Sequence, residues 1–261
     1  MMSRPEEAHL VEIFWSAQGE GLFVGASTVF IRFGGCDLRC SWCDSPETWR
    51  VGSECRIETE AGSQAFASLP NPVSLNAIVE SIDALKPQDG SFVSLTGGEP
   101  LLQPAMALAV ASASQERGLR THLETHGLAV DALDTVLPAV DLVAMDWKLT
   151  TEVRPSADSP LKMTDFEGRH RAFLSQAASQ TEVCVKVVLT PKTADEELNR
   201  VFRAINEIAP ETPLILQPVT PTGGVKKPVA PARLMDILRL SEARVKNVRL
   251  IPQTHKMYGA L

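Results

Sequence analysis

The chain has 261 residues, 44% hydrophobic and 22% charged, which excludes a disordered or fibrous polypeptide and suffices for a sizeable core. Lys and Arg number 25 against 32 Asp and Glu, a net charge of −7 that argues against a broad nucleic-acid or anionic-membrane surface. No run of about 18 uninterrupted apolar residues offers a membrane span, and the start lacks the basic-then-apolar order of a secretory signal.

In chain order, strands are predicted over Thr28–Phe33, Phe92–Leu95, Arg120–Glu124, Asp141–Trp147, Glu182–Leu189, Pro213–Val219 and Asn247–Pro252. Between them the 3.6-residue period predicts helices. Ser74–Lys86 puts Ile78, Ile82 and Leu85 on one face with Ser74 as N-cap, and Leu101–Arg117 stops at Gly118. Thr164-Asp-Phe-Glu167 and Thr193-Ala-Asp-Glu196 read as capping boxes, and Ala232–Arg244 is the last helix. This alternation predicts βαβ units, a mainly parallel sheet and an α/β fold. A closed or partial (incomplete) TIM-type barrel is expected first and an open doubly wound sheet second. In either case the site lies at the C-terminal strand ends. The chain is read as one domain over residues 1–261. Residues 52–72, rich in Gly, Ser, Glu and Pro, read as a surface loop insertion, either mobile or a lid.

Five cysteines stand at 36, 40, 43, 55 and 184. An odd number, with three in one short stretch, fits a reducing compartment and a metal site better than a disulfide framework, so a cytoplasmic protein is expected. Cys36, Cys40 and Cys43 follow the Thr28–Phe33 strand closely enough to converge on one inorganic centre. Thiolates suit zinc or an iron–sulfur cluster. Three ligands would leave one iron of a four-iron cluster open, and a zinc site would need a fourth ligand from elsewhere. Cys184 alternates on a strand and reads as core; Cys55 falls in the loop segment.

The Cys-x3-Cys-x2-Cys spacing, with Trp42 before the last Cys and Gly97-Gly98-Glu99-Pro100 downstream, resembles the radical S-adenosylmethionine superfamily. The resemblance implies a 4Fe-4S cluster on the three cysteines and S-adenosylmethionine on its open iron, cleaved reductively to a 5′-deoxyadenosyl radical. It further implies cofactor contacts from Gly97, Gly98, Glu99, Glu124, Asp146, Trp147, Lys148, Gln217, Pro218, Val219 and Thr220.

Gln18-Gly-Glu-Gly21, Arg32, Cys43-Asp-Ser45 and the Gln253-Thr-His-Lys256 tail are together similar to the 7-carboxy-7-deazaguanine synthase family, a lyase group of queuosine and other 7-deazapurine biosynthesis. That resemblance implies 6-carboxy-5,6,7,8-tetrahydropterin as substrate, met by Ala17, Gln18, Gly19, Glu20, Arg32, Thr96, His255 and the α-carboxylate of Leu261. It also implies Mg2+ on Ser45, a homodimer, and an electron donor such as flavodoxin. The competing expectations are a glycyl-radical-enzyme activating enzyme and a non-catalytic zinc-binding module.

Overall fold

Seven strands of the computed structural model, which describes residues 6–260, run parallel in one sheet. Numbering only strands of this sheet, they are β2 (Ser27–Phe33), β5 (Phe92–Gly97), β6 (Arg120–Thr125), β7 (Leu142–Asp146), β8 (Glu182–Leu189), β9 (Leu214–Pro218) and β10 (Val248–Leu250). Beyond β2 lie β1 (Leu10–Ala17), β3 (Glu54–Glu58) and β4 (Phe66–Pro70). The sheet has ten strands in the order β10-β9-β8-β7-β6-β5-β2-β1-β3-β4. It ends in free edges at β10 and β4 and is not closed into a barrel, as the partial-barrel reading requires.

Helices α1 (Leu75–Ala84), α2 (Pro104–Gln115), α3 (Val130–Val136), α4 (Phe166–Ala178), α5 (Asp195–Ile208) and α6 (Pro231–Glu242) are joined to these strands. A short α7 (His255–Tyr258) forms the tail. The helix faces follow from spacing: Leu198, Val201, Phe202 and Ile205 of α5 all turn inward into the main core. Ser74 caps α1 as expected, its hydroxyl accepting from the Ala77 amide at 3.2 Å. Neither expected capping box forms. α4 begins at Phe166 after a 3-10 turn, and the Thr193 hydroxyl accepts from the Thr190 amide at 2.9 Å instead. No helix among the described residues is long and apolar enough to cross a membrane.

The strands position the site through their alternation. In β8, Val183, Val185 and Val187 belong to the main core, whereas Lys186 faces a cavity on the other side of the sheet. The same parity aims Arg32, Thr96, Glu124, Asp146 and Gln217 at that cavity. Polar residues inside otherwise apolar parallel strands thus mark one wall.

Two sequence expectations are corrected. Residues 52–72 are not an irregular loop: they carry the β3–β4 hairpin, whose register pairs Glu54 with Pro70 and Glu58 with Phe66. Its polar composition is tolerated because its charges find distant partners. Glu58, 2% exposed, accepts from the Trp15 amide at 2.8 Å and the Gln64 amide at 2.9 Å. β1 was not among the predicted strands. A register irregularity between Leu10 and Glu12 breaks its alternation.

His170 on α4 is fully buried and stacked on Trp147, with ring centroids 4.6 Å apart. Its Nε2 lies 3.1 Å from the His126 carbonyl oxygen, and its Nδ1 has no hydrogen-bond partner. Burial pushes this imidazole from 6.5 down to about 3. The unfolded chain therefore takes up a proton that the native chain refuses, and stability falls as the pH drops from 6.5 towards about 3. Urea midpoints at about pH 7 and about pH 5 should show this loss, and His170→Asn should narrow the difference between them.

Candidate active site

The cysteine loop is fixed by backbone contacts on three sides. Gly98 donates its amide to Phe33 O at 3.0 Å, Glu99 to Gly35 O at 2.9 Å, and Gly35 to Thr48 O at 2.8 Å. A Cβ on Gly98 would stand 2.0 Å from Gly35 O, and one on Gly97, at φ +120°, 2.4 Å from Phe33 O. The two glycines are thus needed to lay the end of β5 against the start of the cysteine loop. Further along, Leu38–Cys40 pairs antiparallel with Val153–Pro155, and Ser41 O accepts from the Gly224 amide at 2.6 Å. Arg39 donates to the carbonyls of Cys36 at 2.8 Å and Leu38 at 2.6 Å, its guanidinium 4.8 Å from the Trp49 ring centroid.

Cys36, Cys40 and Cys43 line one cavity of about 420 Å³ and form no disulfide. Three thiols on one cavity wall are a donor set that suits an iron–sulfur cluster, or zinc if a fourth ligand is supplied. Burial pushes the Cys36 thiol up to about 12 and Cys40 to about 11, so thiolate ligation requires a cationic centre to displace the protons. Cys184, fully buried on β8, and Cys55, fully buried on β3, lie in the core.

Two carboxylates organise the polar wall. Glu124 accepts from Gln18 Nε2 at 2.9 Å, Ser94 Oγ at 2.7 Å and Thr96 Oγ1 at 3.0 Å. Asp146 takes Lys148 Nζ at 2.6 Å and lies 3.5 Å from Lys186 Nζ, which also pairs with Glu20. Burial opposes ionisation of Asp146, but Lys148 and Lys186 outweigh it and hold the carboxyl below its ordinary value. Burial likewise works against the Lys186 ammonium, and Glu20 and Asp146 raise it well above the usual lysine range. Asp146 Oδ1 and Gln217 Oε1 are buried acceptors without a donor. Both residues line the cavity, and such orphaned acceptors fit a ligand bearing hydroxyl or amine donors, as a nucleoside does.

The tail closes the far side. Thr254 donates its amide to Gly19 O at 2.9 Å, and Gln253 Nε2 donates to Glu20 Oε1 at 2.8 Å and Asp44 Oδ2 at 2.9 Å. Glu20, Asp44 and His255 bring ligand atoms within 4.8 Å of one another, and Ser45 donates to Asp44 Oδ1 at 3.0 Å. Burial lowers His255 below its ordinary value.

The fold thus brings Gln18, Gly19, Glu20, Arg32, Ser45, Thr96, Gly97, Gly98, Glu124, Asp146, Lys148, Gln217, Val219, Thr220 and His255 onto the wall that carries the three cysteines. Four expected residues are not on it. Trp147 and Pro218 follow Asp146 and Gln217 directly, and successive strand residues face opposite sides, so Trp147 packs in the main core. Ala17 ends β1 paired with Ser27. Glu99 is fully buried, its carboxylate accepting from Thr125 Oγ1 at 2.8 Å, the Leu101 amide at 3.0 Å and the His126 amide at 2.9 Å. Leu261 lies outside the described residues. Sequence reasoning missed Glu12, Asp44, Arg56, His122, Lys186 and Gln253 on this wall. The lone charge of Lys186 in an apolar strand was the available signal.

A parallel sheet open on one face, with three converging cysteines behind the first parallel strand and glycines behind the next, defines the chain as a member of the radical SAM superfamily. The superfamily's sequence profile matches residues 30–205. Within it, the chain belongs to the 7-carboxy-7-deazaguanine synthase family. It is 38% identical to the 7-carboxy-7-deazaguanine synthase of Geobacter sulfurreducens, covering 100% of both chains. Against that of Methanopyrus kandleri it is 33% identical, over 95% of this chain and 92% of the other. The crystal structure of QueE from Escherichia coli shares the fold, with a TM-score of 0.60, 18% identity and 95% coverage of each chain.

Two outcomes test this geometry. Cys40→Ala should lose most iron and acid-labile sulfide after anaerobic reconstitution, read by metal and sulfide analysis. Gly19→Ala would set a Cβ 1.9 Å from His255 Nδ1. It should displace the tail, read as faster proteolysis beyond Gln253, while iron content stays near wild type.

Proposed function

We propose that the chain converts 6-carboxy-5,6,7,8-tetrahydropterin to 7-carboxy-7-deazaguanine, contracting the ring and releasing ammonia without net oxidation or reduction. The observation that carries the reading is that the residues suited to a carboxylated pterin share one wall with the three cysteines. A bound 4Fe-4S cluster and S-adenosylmethionine would supply the radical that removes hydrogen from carbon 6, with the S-adenosylmethionine regenerated. The protein's part is to hold the groups and exclude water.

Cys36, Cys40 and Cys43 would hold the cluster. The unpaired acceptors of Asp146 and Gln217, with the backbone of Gly97, Gly98, Val219 and Thr220, would hold the cofactor's nucleoside and amino acid. On the opposite side, Glu20 is the acceptor for the guanidine-like pterin edge. Gln18 and Thr96, already oriented by Glu124, supply neighbouring polar contacts. Arg32 takes the substrate carboxylate, and His255 covers the pterin. The hydroxyl of Ser45 beside the Asp44 carboxylate is an oxygen donor set suited to Mg2+, completed by substrate and water. We read residues 1–261 as one catalytic unit, acting in the cytoplasm as a homodimer and reduced by a flavodoxin-like donor.

The test is anaerobic turnover of reconstituted, reduced enzyme with S-adenosylmethionine, Mg2+ and carboxytetrahydropterin. Deazapurine product should form; its absence with an intact cluster refutes the assignment. His255→Ala should raise KM for the pterin by about tenfold, as for loss of one good contact, while KM for S-adenosylmethionine stays within about twofold.

A further inference from the structure

The β3–β4 hairpin reaches the cavity through one residue, Arg56, whose contacts continue inward. Arg56 is in register with Glu12, Glu12 with Arg32, and Arg32 with Thr96, so one row of side chains crosses four strands from the hairpin to the substrate wall. Glu12 has a side chain 7% exposed and is shared between two cations: Oε1 accepts from Arg32 Nε at 2.8 Å, and Oε2 accepts from Arg56 Nη2. The Arg56 guanidinium also lies 4.5 Å from the Phe66 ring centroid, and that of Arg32 5.4 Å from Phe14.

We propose that Arg56 is a positioning residue for Arg32 in recognition of the substrate carboxylate. The inference rests on the reading above, that Arg32 binds that carboxylate. With Arg56 holding Oε2, Glu12 meets Arg32 through Oε1 alone rather than as a bidentate pair, the arrangement that two carboxylate oxygens facing one guanidinium otherwise adopt. Arg32 is then held by Nε alone, and its Nη groups, which make no hydrogen bond among the described residues, remain free for a ligand. The unengaged Nη donors of Arg32 suit an anionic substituent better than a neutral one. The hairpin keeps Arg56 in place through Glu58, and a Cβ on Gly62 would press to 3.2 Å from the Trp15 ring.

The readout is carboxylate preference, the ratio of dissociation constants of reconstituted holoenzyme for tetrahydropterin lacking the 6-carboxylate and for the 6-carboxy compound, with S-adenosylmethionine and Mg2+ present. Arg56→Gln should weaken only the carboxylated ligand, by about tenfold, the scale of one weakened charge-assisted hydrogen bond. KM should rise more than kcat falls. Arg56→Lys, which keeps a cation against Glu12, should recover most of the preference. Arg56→Met, which keeps the apolar stem on Phe66, gives the same readout if the glutamine variant does not fold. Equal weakening of both ligands, an unchanged ratio, or no recovery in the lysine variant overturns the proposal. Arg32→Gln separates the two ideas. If it abolishes the preference while Arg56→Gln leaves it intact, Arg56 has no positioning role and the reading of Arg32 stands. If Arg32→Gln leaves the preference intact, that reading fails and takes the proposal with it.

Discussion

Backbone-to-backbone packing of Gly97 and Gly98 against Phe33 and Gly35 is the contact on which the site depends. It joins the C-terminal ends of two neighbouring parallel strands with no side chain between them. The cysteine loop thereby leaves β2 at a height fixed by β5, and Glu99 can drop its carboxylate behind the site onto Thr125 and His126 at the end of β6. His126 passes the constraint back to the loop, with Nε2 2.9 Å from Asp37 Oδ1 beside Cys36. Burial would lower this histidine, but Glu99 and Asp37 outweigh it and raise it above its ordinary value, and its Nδ1 accepts from the Leu128 amide at 3.1 Å while Nε2 faces the two carboxylates.

On the open face, the polar wall is an alternation of charge across the strands rather than a patch of one sign. Arg56, Glu12 and Arg32 lie on one side of Thr96; Glu124, Lys186 and Asp146 lie on the other. Buried ions are costly unless paired, and here each charged group has a partner on an adjacent element. The exceptions are single atoms, Asp146 Oδ1, Gln217 Oε1 and His122 Nε2, which have no hydrogen-bond partner. A site assembled this way is held by its own charge pairs, the arrangement that electrostatic preorganisation requires.

Much of this was legible in the sequence because it is local. The spacing of Cys36, Cys40 and Cys43 needs only chain reach, β8 after Glu182 is an apolar run broken by Lys186 alone, and Ser74 caps α1 through residues three positions away. What was not legible depends on parity or on distant partners. Motif reading treats Asp146-Trp147-Lys148 as one block, yet Trp147, just past the end of β7, packs in the core while its two neighbours line the cavity. The Gly-Gly-Glu-Pro motif does the same for Glu99, whose carboxylate works inside the fold. The hairpin strand Glu54–Glu58 looks like a loop because two of its charged residues, Arg56 and Glu58, are satisfied only by Glu12, Trp15 and Gln64.

The contact between Thr254 and Gly19 joins two segments far apart in sequence at the cavity wall. Its consequence concerns the order of events during synthesis. The cysteine loop acquires its last backbone partner only when Gly224 has been made, and Glu20 gains the Gln253 amide later still. A nascent chain still held in the ribosome can therefore build the early strands, but it cannot hold a finished pocket. Reactive chemistry is thus deferred until translation has passed Gln253.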